Sequence, residues 1–407
     1  MKPSTHPSHR TRHRVAAILL TVTAGVFSAT VMAQSQRITI DSHIDIPLDY
    51  ATSATDPGIN GPLQVDLVKM RRGGLDAGFF IVYVGQGERS EAGYRAARAD
   101  ALTKFSAIHR VANWLYPDQI ELAFNADDVR NIHARGKLVA LIGIENGYVI
   151  GRDLGLIRDY YNLGGRYMTL AHNGHNDLAD SAQPRPGEAA AEHGGLSALG
   201  RAAVATMNDV GMLVDVSHVS VQAARQAIAL SRAPVIASHS AVSAINNHPR
   251  NMDDVTMRAL AAKGGVIQVV AFDSYVQEVP AAKVKALAEL RARYGVSNPA
   301  DMAKLSAEKR SEFDREQAKI DDRWPRATVA QFVDHIDYAV KLIGIDHVGI
   351  ASDFEGGGGV TGWQNAAETA NVTAELVRRG YSDADIDKLW GGNLLGVLAA
   401  AQALAGN

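Results

Sequence analysis

The sequence contains a short stretch, His43-Ile44-Asp45, whose residue types and spacing suit metal binding. The β-branched Ile-Thr-Ile run just before it favours an extended chain. Side chains two positions apart on a strand point to the same face, so His43 and Asp45 would lie side by side. A neutral imidazole and a carboxylate in that arrangement form half of a site for zinc or a similar divalent ion. Taken alone, the pair also fits a surface turn after a strand.

Five further apolar runs lead into a histidine or an acidic residue. They are Leu-Ile-Gly-Ile-Glu145, Met-Thr-Leu-Ala-His172, Leu-Val-Asp-Val-Ser-His218, Val-Ile-Ala-Ser-His239 and Val-Gly-Ile-Ala-Ser-Asp353. If these side chains converge, they form a polar cluster that is costly without a ligand. The set exceeds the three protein ligands of a single catalytic zinc and suits two metals bridged by one carboxylate, most naturally Glu145. Such a pair activates water and polarises a carbonyl, which is the chemistry of amide or ester hydrolysis.

Apolar runs and amphipathic helical patterns alternate along the chain, and these elements must position the polar residues. The predicted strands are Arg37–Asp41, Ala77–Val84, Leu138–Ile144, Arg166–Leu170, Met212–Val216, Pro234–Ala237, Gly265–Ala271 and His347–Ala351. The predicted helices include Asp66–Arg72, Glu91–Leu115, Ala126–Arg135, Leu154–Asn162, Ser197–Asp209, Val221–Leu230, Asp253–Ala262 and Val329–Leu342.

Eight such units in series predict an α/β fold, a (β/α)8 TIM barrel formed by a single domain over residues 34–407. The alternative is an open doubly wound sheet, which usually has fewer strands. In a barrel, catalytic residues lie at the C-terminal ends of the strands, where the histidines and carboxylates fall. A charged helical insertion, about 281–324, separates the seventh strand from the eighth. It is expected to be solvated, with a lid or a dimer contact as the alternative.

The first 33 residues have the features of a secretory signal peptide. Four basic residues and no acidic ones occur there, and an apolar run from Val15 to about Met32 ends in small residues suited to cleavage after Ala33. We therefore expect a secreted or periplasmic protein with no membrane anchor after cleavage. The alternative is an uncleaved N-terminal anchor.

Composition limits the kinds of partner and of metal site that the chain can have. The formal net charge is −3, and loss of the basic leader would make the mature chain more acidic, which argues against nucleic acid as a partner. The chain has no cysteine, so disulfides and thiolate metal sites are excluded and any metal must be held by histidine, aspartate and glutamate. Zinc, manganese or cobalt would suit such ligands.

The other histidines receive structural interpretations. We predict that His347 lies at the opposite end of the barrel, and that His175 and His248 lie in loops from which they could contact substrate. The remaining ones are expected to be solvated; they are His109, His133, His193 and His335.

The order and spacing of these motifs resemble the membrane dipeptidase (renal dipeptidase) family, peptidase family M19, binuclear zinc peptidases of the metal-dependent hydrolase (amidohydrolase) superfamily. The resemblance covers nearly the whole mature chain. Besides the segments above, it includes Gln64-Val-Asp-Leu, Leu163-Gly-Gly-Arg-Tyr-Met-Thr-Leu-Ala-His172-Asn, Pro249-Arg250-Asn and Gly391-Gly-Asn.

The resemblance implies a role for each site residue. His43 and Asp45 would bind one zinc, His218 and His239 the other, and Glu145 both. Asp353 would be the catalytic acid and base, and His172 would contact the scissile carbonyl oxygen in binding and catalysis. Arg250 would bind the C-terminal carboxylate of a small peptide substrate, a task suited to a planar, permanently charged side chain. Family members often form homodimers, which is an expectation here.

Two positions depart from the family pattern: Asn146 stands where the family usually has glycine, and Gly174-His175 where cysteine is frequent. They affect the expected shape of the substrate pocket. The resemblance implies a binuclear zinc dipeptidase acting on L,L dipeptides with a free carboxylate, with L,D dipeptides as a further expected substrate class. The alternatives are a related amidohydrolase acting on N-acyl amino acids, lactones or a secondary-metabolite peptide, and an inactive metal-binding scaffold.

Overall fold

Parallel strands form a nearly closed barrel in this computed structural model, which describes residues 37–296, 301–302 and 305–405. The strands are β1 Ile40–Asp45, β2 Ala77–Tyr83, β3 Ile120–Leu122, β4 Leu138–Glu145, β5 Gly165–Thr169, β6 Leu213–Asp215, β7 Ile236–Ser240, β8 Val266–Val270 and β9 Val348–Ala351. Eight of them follow the order β1-β2-β4-β5-β6-β7-β8-β9. The short β3 pairs with the first three residues of β4, outside this order. The predicted signal peptide lies outside the described residues.

The ring closes between β9 and β1 through backbone hydrogen bonds just beyond the end of β9. Asp45 N donates to Phe354 O at 2.9 Å, and Asp353 N donates to His43 O at 3.1 Å. The predicted (β/α)8 barrel is therefore confirmed. Closure places the start and the end of the motif list, His43 and Asp353, on neighbouring strand ends.

Helices cover the outside of the barrel. They are α1 Leu67–Gly73, α2 Glu91–Arg110, α3 Ala126–Ala134, α4 Gly155–Asn162, α5 Ala198–Val210, α6 Val221–Leu230, α7 Asp254–Ala262, α8 Asp273–Val276, α9 Ala281–Tyr294, α10 Ala307–Arg323, α11 Val329–Ile343, α12 Thr369–Arg378, α13 Asp383–Asp387 and α14 Asn393–Ala403. Most of the predicted helices match within two residues because the polar caps read from the sequence are used. Ser197 and Ser220 each accept a hydrogen bond from a backbone N–H in the first turn of the next helix.

Three strand predictions need correction. The sixth predicted strand, Pro234–Ala237, is β7 and runs from Ile236 to Ser240, so it includes His239. The first strand begins at Ile40 rather than Arg37 and continues to Asp45, so both residues of the His-x-Asp pair belong to it. The sequence analysis missed β3 altogether, because three residues are too few to show a periodicity.

Between β8 and β9 lie the charged helices α9 and α10. They share a small apolar cluster of Leu290, Val296 and Phe313. The buried Lys283 on α9 pairs with Asp321 on α10 at 3.1 Å and with Asp273 on α8 at 3.2 Å. These ion pairs attach the two helices to the segment that follows β8.

Apolar side chains fill both surfaces of the sheet. All eight residues of β4 are buried, as expected for a strand with the barrel interior on one side and helices on the other. Within the described part of the chain, none of the helices is long and apolar enough to cross a membrane.

Candidate metal centre

The C-terminal ends of the strands bring the sequence-predicted residues together. His43 and Asp45 close β1, Glu145 is the last residue of β4, and His239 lies in β7. The remaining three follow directly after β5, β6 and β9; they are His172, His218 and Asp353. Three overlapping groups have potential ligand atoms within 4.8 Å of one another: His43, Glu145 and His239; Glu145, His172 and His218; and His43, Asp45 and Asp353.

Glu145 lies at the centre of this cluster. Its Oε1 is 3.1 Å from His218 Nε2 and 3.3 Å from His239 Nε2, whereas its Oε2 is 3.6 Å from His43 Nε2. His43 Nε2 is also 3.7 Å from Asp45 Oδ2. The two oxygens of one carboxylate therefore face two different sets of ligands, which is the arrangement that a bridging carboxylate requires.

Hydrogen bonds on the far side of the rings orient the three histidines. His43 Nδ1 is 2.9 Å from the Tyr167 hydroxyl, which itself donates to the Ser42 carbonyl at 3.0 Å. The hydroxyl therefore accepts from His43 Nδ1–H. In the same way His218 Nδ1 is 3.3 Å from Asn173 Oδ1, and His239 Nδ1 is 2.8 Å from Ser238 Oγ. Protonated Nδ1 atoms leave the Nε2 lone pairs free for a metal.

The donor atoms fit a cation. His218 Nε2 and His239 Nε2 are only 2.8 Å apart, so two lone pairs face each other when both rings carry their proton on Nδ1. Among the described residues, buried His43 Nε2 and Asp45 Oδ1 have no hydrogen-bond partner. Buried polar atoms without a partner are costly, and a divalent ion that replaces the proton of His43 and binds both atoms would remove that cost. Nitrogen and oxygen donors of this kind suit zinc, manganese or cobalt.

Electrostatics in the metal-free protein reflect the crowding of charges. Burial alone would raise the pKa of Glu145, but His43 and the other histidines hold that pKa well below its usual range. Burial would lower the pKa of His43, but Glu145, Asp45 and Asp353 raise it to about 9. Burial, with the charges of Asp45 and Glu145, raises the pKa of Asp353 well above its ordinary value. The metal-free site therefore retains protons that a metal must displace.

Unusual backbone conformations place two of these residues. His218 has a φ of 65° and Asp353 has a φ of 58°, in the left-handed region that residues other than glycine rarely adopt. Such conformations cost energy and persist only where the surroundings hold them. They turn the chain sharply after β6 and β9, so that both side chains enter the cluster.

Arg250 lies beside the cluster and is 3% exposed. Its Nη2 donates to the His239 carbonyl at 3.1 Å, and its guanidinium lies 5.3 Å from the centre of the Tyr275 ring. Its Nε has no hydrogen-bond partner among the described residues, and no carboxylate there forms a salt bridge with it. A buried cation with a free donor is suited to an anionic ligand.

His172 also lies against the cluster. Its Nε2 is 3.8 Å from Glu145 Oε1, its ring lies 4.1 Å from that of His218, and Tyr83 packs against it at 4.7 Å. Burial, and to a lesser extent Arg250, lower the pKa of His172 to about 4. The ring is thus neutral at physiological pH.

The sequence analysis missed the residues that support the ligands. Tyr167, Asn173 and Ser238 hold the three histidine rings, and Tyr275 flanks Arg250. Ser238 stands next to the predicted ligand His239, and Asn173 next to the predicted catalytic residue His172, which is a usable signal. Tyr167 and Tyr275 give none, because their contacts depend on the fold.

Several predictions for the other histidines were wrong. His335 is fully buried, with Nδ1 accepting from Val242 N and Nε2 donating to Val276 O. His109 and His193 are half-buried and bond backbone carbonyls rather than being solvated. His175 is buried too, and both ring nitrogens bond backbone groups, so it is not free to contact substrate. A helical or loop position does not reveal such internal partners.

Two predictions in this group agree with the structure. His347 bonds the carbonyl of Gly265 just before β8, at the end of the barrel away from the cluster. His248 lies next to Arg250 and its ring packs 4.6 Å from Tyr275.

Comparison with known proteins gives a consistent result. The sequence profile of the membrane dipeptidase family, peptidase family M19, matches residues 29–407. Dipeptidase aclJ of Aspergillus oryzae is 33% identical over 348 residues, which are 84% of this chain and 71% of that protein. Dipeptidase tcpJ of Claviceps purpurea is 32% identical over 347 residues, 84% of this chain and 70% of that protein.

A solved structure is similar over almost the whole fold. The crystal structure of the probable dipeptidase PvdM from Pseudomonas aeruginosa has a TM-score of 0.81 and 36% sequence identity, and covers 94% of this chain and 100% of that chain. The resemblance read from the sequence motifs is thereby confirmed.

Proposed function

Because this chain belongs to the membrane dipeptidase family, peptidase family M19, we propose that it is a metal-dependent hydrolase that cleaves dipeptides with a free C-terminal carboxylate. The observation that carries this proposal is the buried Arg250 guanidinium, which lacks a carboxylate partner in the described chain and lies next to the metal-binding cluster. A site with these two features side by side suits a substrate that has a hydrolysable bond close to a negative charge.

Two divalent ions, zinc in the first instance, would be held by the chain in this proposal. His43 and Asp45 would bind one ion, His218 and His239 the other, and Glu145 would bridge them. This division follows the orientation of the two Glu145 oxygens. When bound, the ions would supply a nucleophilic hydroxide at neutral pH and polarise the scissile carbonyl.

The protein's own residues then have separate tasks. Arg250 binds the substrate carboxylate and so fixes the position of the peptide bond. His172, neutral and half-buried, donates a hydrogen bond to the carbonyl oxygen as negative charge develops there. Asp353 takes a proton from the attacking water and passes it to the leaving amine. Its raised pKa supports this role, since a catalytic group works best when its pKa is close to the working pH.

The Arg250 assignment is tested by Arg250→Met. We expect kcat/KM for L-Ala-L-Ala to fall about 100-fold or more, since charge-assisted hydrogen bonds contribute about 1.5–3 kcal/mol each. Turnover of the corresponding uncharged dipeptide amide should change little. Arg258→Met, which removes an exposed arginine on α7, serves as the matched control and should leave both activities unchanged.

An equal loss on both substrates, or no loss, would contradict carboxylate recognition. Including L,D dipeptides, N-acetyl amino acids and lactones in the same assay separates a dipeptidase from the related hydrolases. A protein that cleaves only the latter two would replace the dipeptidase proposal with the amidohydrolase alternative.

Export forms a separate part of the proposal. Residues 1–33 have the composition of a signal peptide, which supports cleavage after Ala33 and a secreted or periplasmic location. Mass spectrometry of the protein from its native host tests this directly. An N-terminus near residue 34 is expected, and a retained leader would contradict cleavage.

A further inference from the structure

Asp215, the last residue of β6, is fully buried and receives a hydrogen bond from each of four donors. Ser217 N and Ser238 N donate to its Oδ1 at 3.0 and 2.8 Å. The hydroxyls of Thr169 and Ser238 donate to its Oδ2 at 2.5 and 2.6 Å. Both carboxylate oxygens of Asp215 therefore accept two hydrogen bonds each, and no described cation contacts them.

The Ser238 hydroxyl connects this carboxylate to the metal centre. Its oxygen is 2.6 Å from Asp215 Oδ2 and 2.8 Å from His239 Nδ1. A proton must lie between Ser238 Oγ and Asp215 Oδ2, and the Ser238 hydroxyl has only one proton to donate. The hydroxyl oxygen must therefore accept from His239 Nδ1–H, which leaves His239 Nε2 unprotonated and directed at Glu145 Oε1.

The other two histidines lack so short a connection to a charge. His43 donates to the Tyr167 hydroxyl, which donates to the Ser42 carbonyl and lies near the Ser238 side chain, so two hydroxyls separate His43 from Asp215. His218 donates to the neutral amide oxygen of Asn173. Of the three proposed histidine ligands, only His239 has a single hydroxyl between its ring and a carboxylate.

From this asymmetry, and on the basis of the proposed two-metal site, we propose that Asp215 is a positioning residue. It acts through the Ser238 hydroxyl to hold His239 in its metal-binding tautomer. It thereby raises the affinity for the ion bound by His218 and His239 relative to the affinity for the ion bound by His43 and Asp45. A carboxylate behind a ligating histidine increases the electron density on the ligating nitrogen. Loss of such a partner typically costs 10- to 100-fold in metal affinity.

The test is Ser238→Ala, because this change removes the connection while Asp215 keeps its other three donors. Zinc affinities are measured by competition with a chelator, and the occupancy of each position by anomalous diffraction from crystals at limiting zinc. We expect the His218/His239 position to lose affinity 10- to 100-fold and the His43/Asp45 position to be unchanged. Ser238→Thr, which retains a hydroxyl, should restore the affinity.

Tyr167→Phe is the matched control. It removes the hydroxyl that accepts from His43 and keeps the Ser238 hydroxyl, so it should weaken the His43/Asp45 position more than the His218/His239 position. The proposal is overturned if Ser238→Ala binds both ions as the unmodified protein does, if both positions weaken equally, or if Ser238→Thr does not restore binding.

A measurement on the unmodified protein covers the case in which Ser238→Ala does not fold. Nitrogen-15 NMR of the histidine rings should show His239 protonated on Nδ1 in the zinc-free protein, and protonation on Nε2 would overturn the proposal. Neither readout involves dipeptide turnover. An unmodified protein that binds no zinc would contradict the proposed function, whereas two bound ions with an unaffected Ser238→Ala variant would contradict this inference alone.

Discussion

At the scale of single residues, protons and the proposed metal ions would compete for the same ligand atoms of the site. His43 combines full burial with three nearby carboxylates, which raise its pKa to about 9. A histidine inside a protein would ordinarily lose its proton. Here the carboxylates retain it, and a cation of higher charge would have to replace it, so the residues proposed to bind metal would also determine the pH range in which they do so.

Zinc affinity is therefore expected to rise with pH between about 6.5 and 8.5. In the zinc-free protein the folded-state pKa of His43, about 9, lies above its ordinary value, so the proton remains bound throughout this range and zinc must displace it. Calorimetric titration in buffers of different ionisation enthalpy should show the release of at least one proton per chain. Affinity that does not change with pH, together with no proton release, would contradict this protonation state.

Glu145→Gln should remove most of the bound metal while changing the shape of the side chain very little. The amide cannot present two anionic oxygens to two ions, so we expect bound zinc to fall below one ion per chain, measured by elemental analysis after dialysis. Glu121→Gln, at an exposed glutamate paired with Arg135, is the control and should retain the zinc of the unmodified protein. Full zinc content in Glu145→Gln would exclude the bridging role.

At the scale of elements, the turns after the strands determine where the ligands point. The loop after β9 contains Gly356, where a Cβ atom would lie 2.3 Å from both Asp45 Oδ2 and Asp353 Oδ1. The absence of a side chain at this position allows the two carboxylates to approach each other. Glycine at position 356 is thus explained by the close approach of the Asp45 and Asp353 carboxylates.

Gly356→Ala should disrupt the site, because the new methyl group displaces Asp45 or Asp353. We expect at least a tenfold loss of zinc affinity at the His43/Asp45 position, measured by chelator competition. Gly396→Ala is the control, since a Cβ there meets no atom within 4 Å on α14. That change should stabilise the fold by up to about 1 kcal/mol through helix propensity. Unchanged zinc binding in Gly356→Ala would show that the carboxylates do not depend on this space.

Asn146, the departure from the family pattern beside Glu145, also has a backbone explanation. Its φ is 78°, a conformation that glycine adopts freely and asparagine tolerates better than most residues. Its side chain adds hydrogen bonds, from Nδ2 to the Val84 carbonyl at 3.0 Å and from Asn176 Nδ2 to its Oδ1 at 3.1 Å. The substitution therefore keeps the turn and ties it to neighbouring loops.

Asn146→Gly should lower the free energy of unfolding by about 2 kcal/mol, since it removes buried hydrogen bonds but keeps the backbone conformation. Asn146→Ala should cost about 1 kcal/mol more, because alanine is strained at this φ. Urea denaturation of the two variants measures the difference. Equal stabilities would show that the backbone conformation at this position carries no cost.

The elements also show how far the sequence could be read. The eight barrel strands, most of the helices and the residues that converge in the candidate metal centre could be predicted, because strand ends in a parallel barrel meet at one rim. The hydroxyls of Tyr167 and Ser238 and the internal bonds of His335 could not, because each depends on which strands become neighbours. The left-handed conformations of His218 and Asp353 leave no pattern in the sequence at all.

At the scale of the whole molecule, barrel closure forms the site. His43 and Asp353 are more than 300 residues apart in the sequence, yet backbone hydrogen bonds join their strand ends. Because the proposed ligands come from β1, β4, β7 and the turn after β6, a metal ion would bind only the folded barrel and would stabilise it against unfolding.

Removal of metal should therefore lower the melting temperature of the protein. Free zinc at 100 times its dissociation constant stabilises the folded state by about 2.7 kcal/mol for each ion. Differential scanning calorimetry at several buffered zinc concentrations should show a melting temperature that rises with free zinc. A chelated sample that melts at the same temperature as the zinc-loaded one would contradict metal binding by the folded barrel.

In the proposed mechanism, two metal ions and dipeptide cleavage belong to one site. The direct measurement is a titration of the metal-free protein with zinc, with bound zinc and hydrolysis of a panel of L,L and L,D dipeptides followed together. We predict that cleavage is absent without metal and reaches its maximum at two zinc ions per chain. Fewer than two ions in a fully loaded sample, with no cleavage of any dipeptide in the panel, would contradict the account.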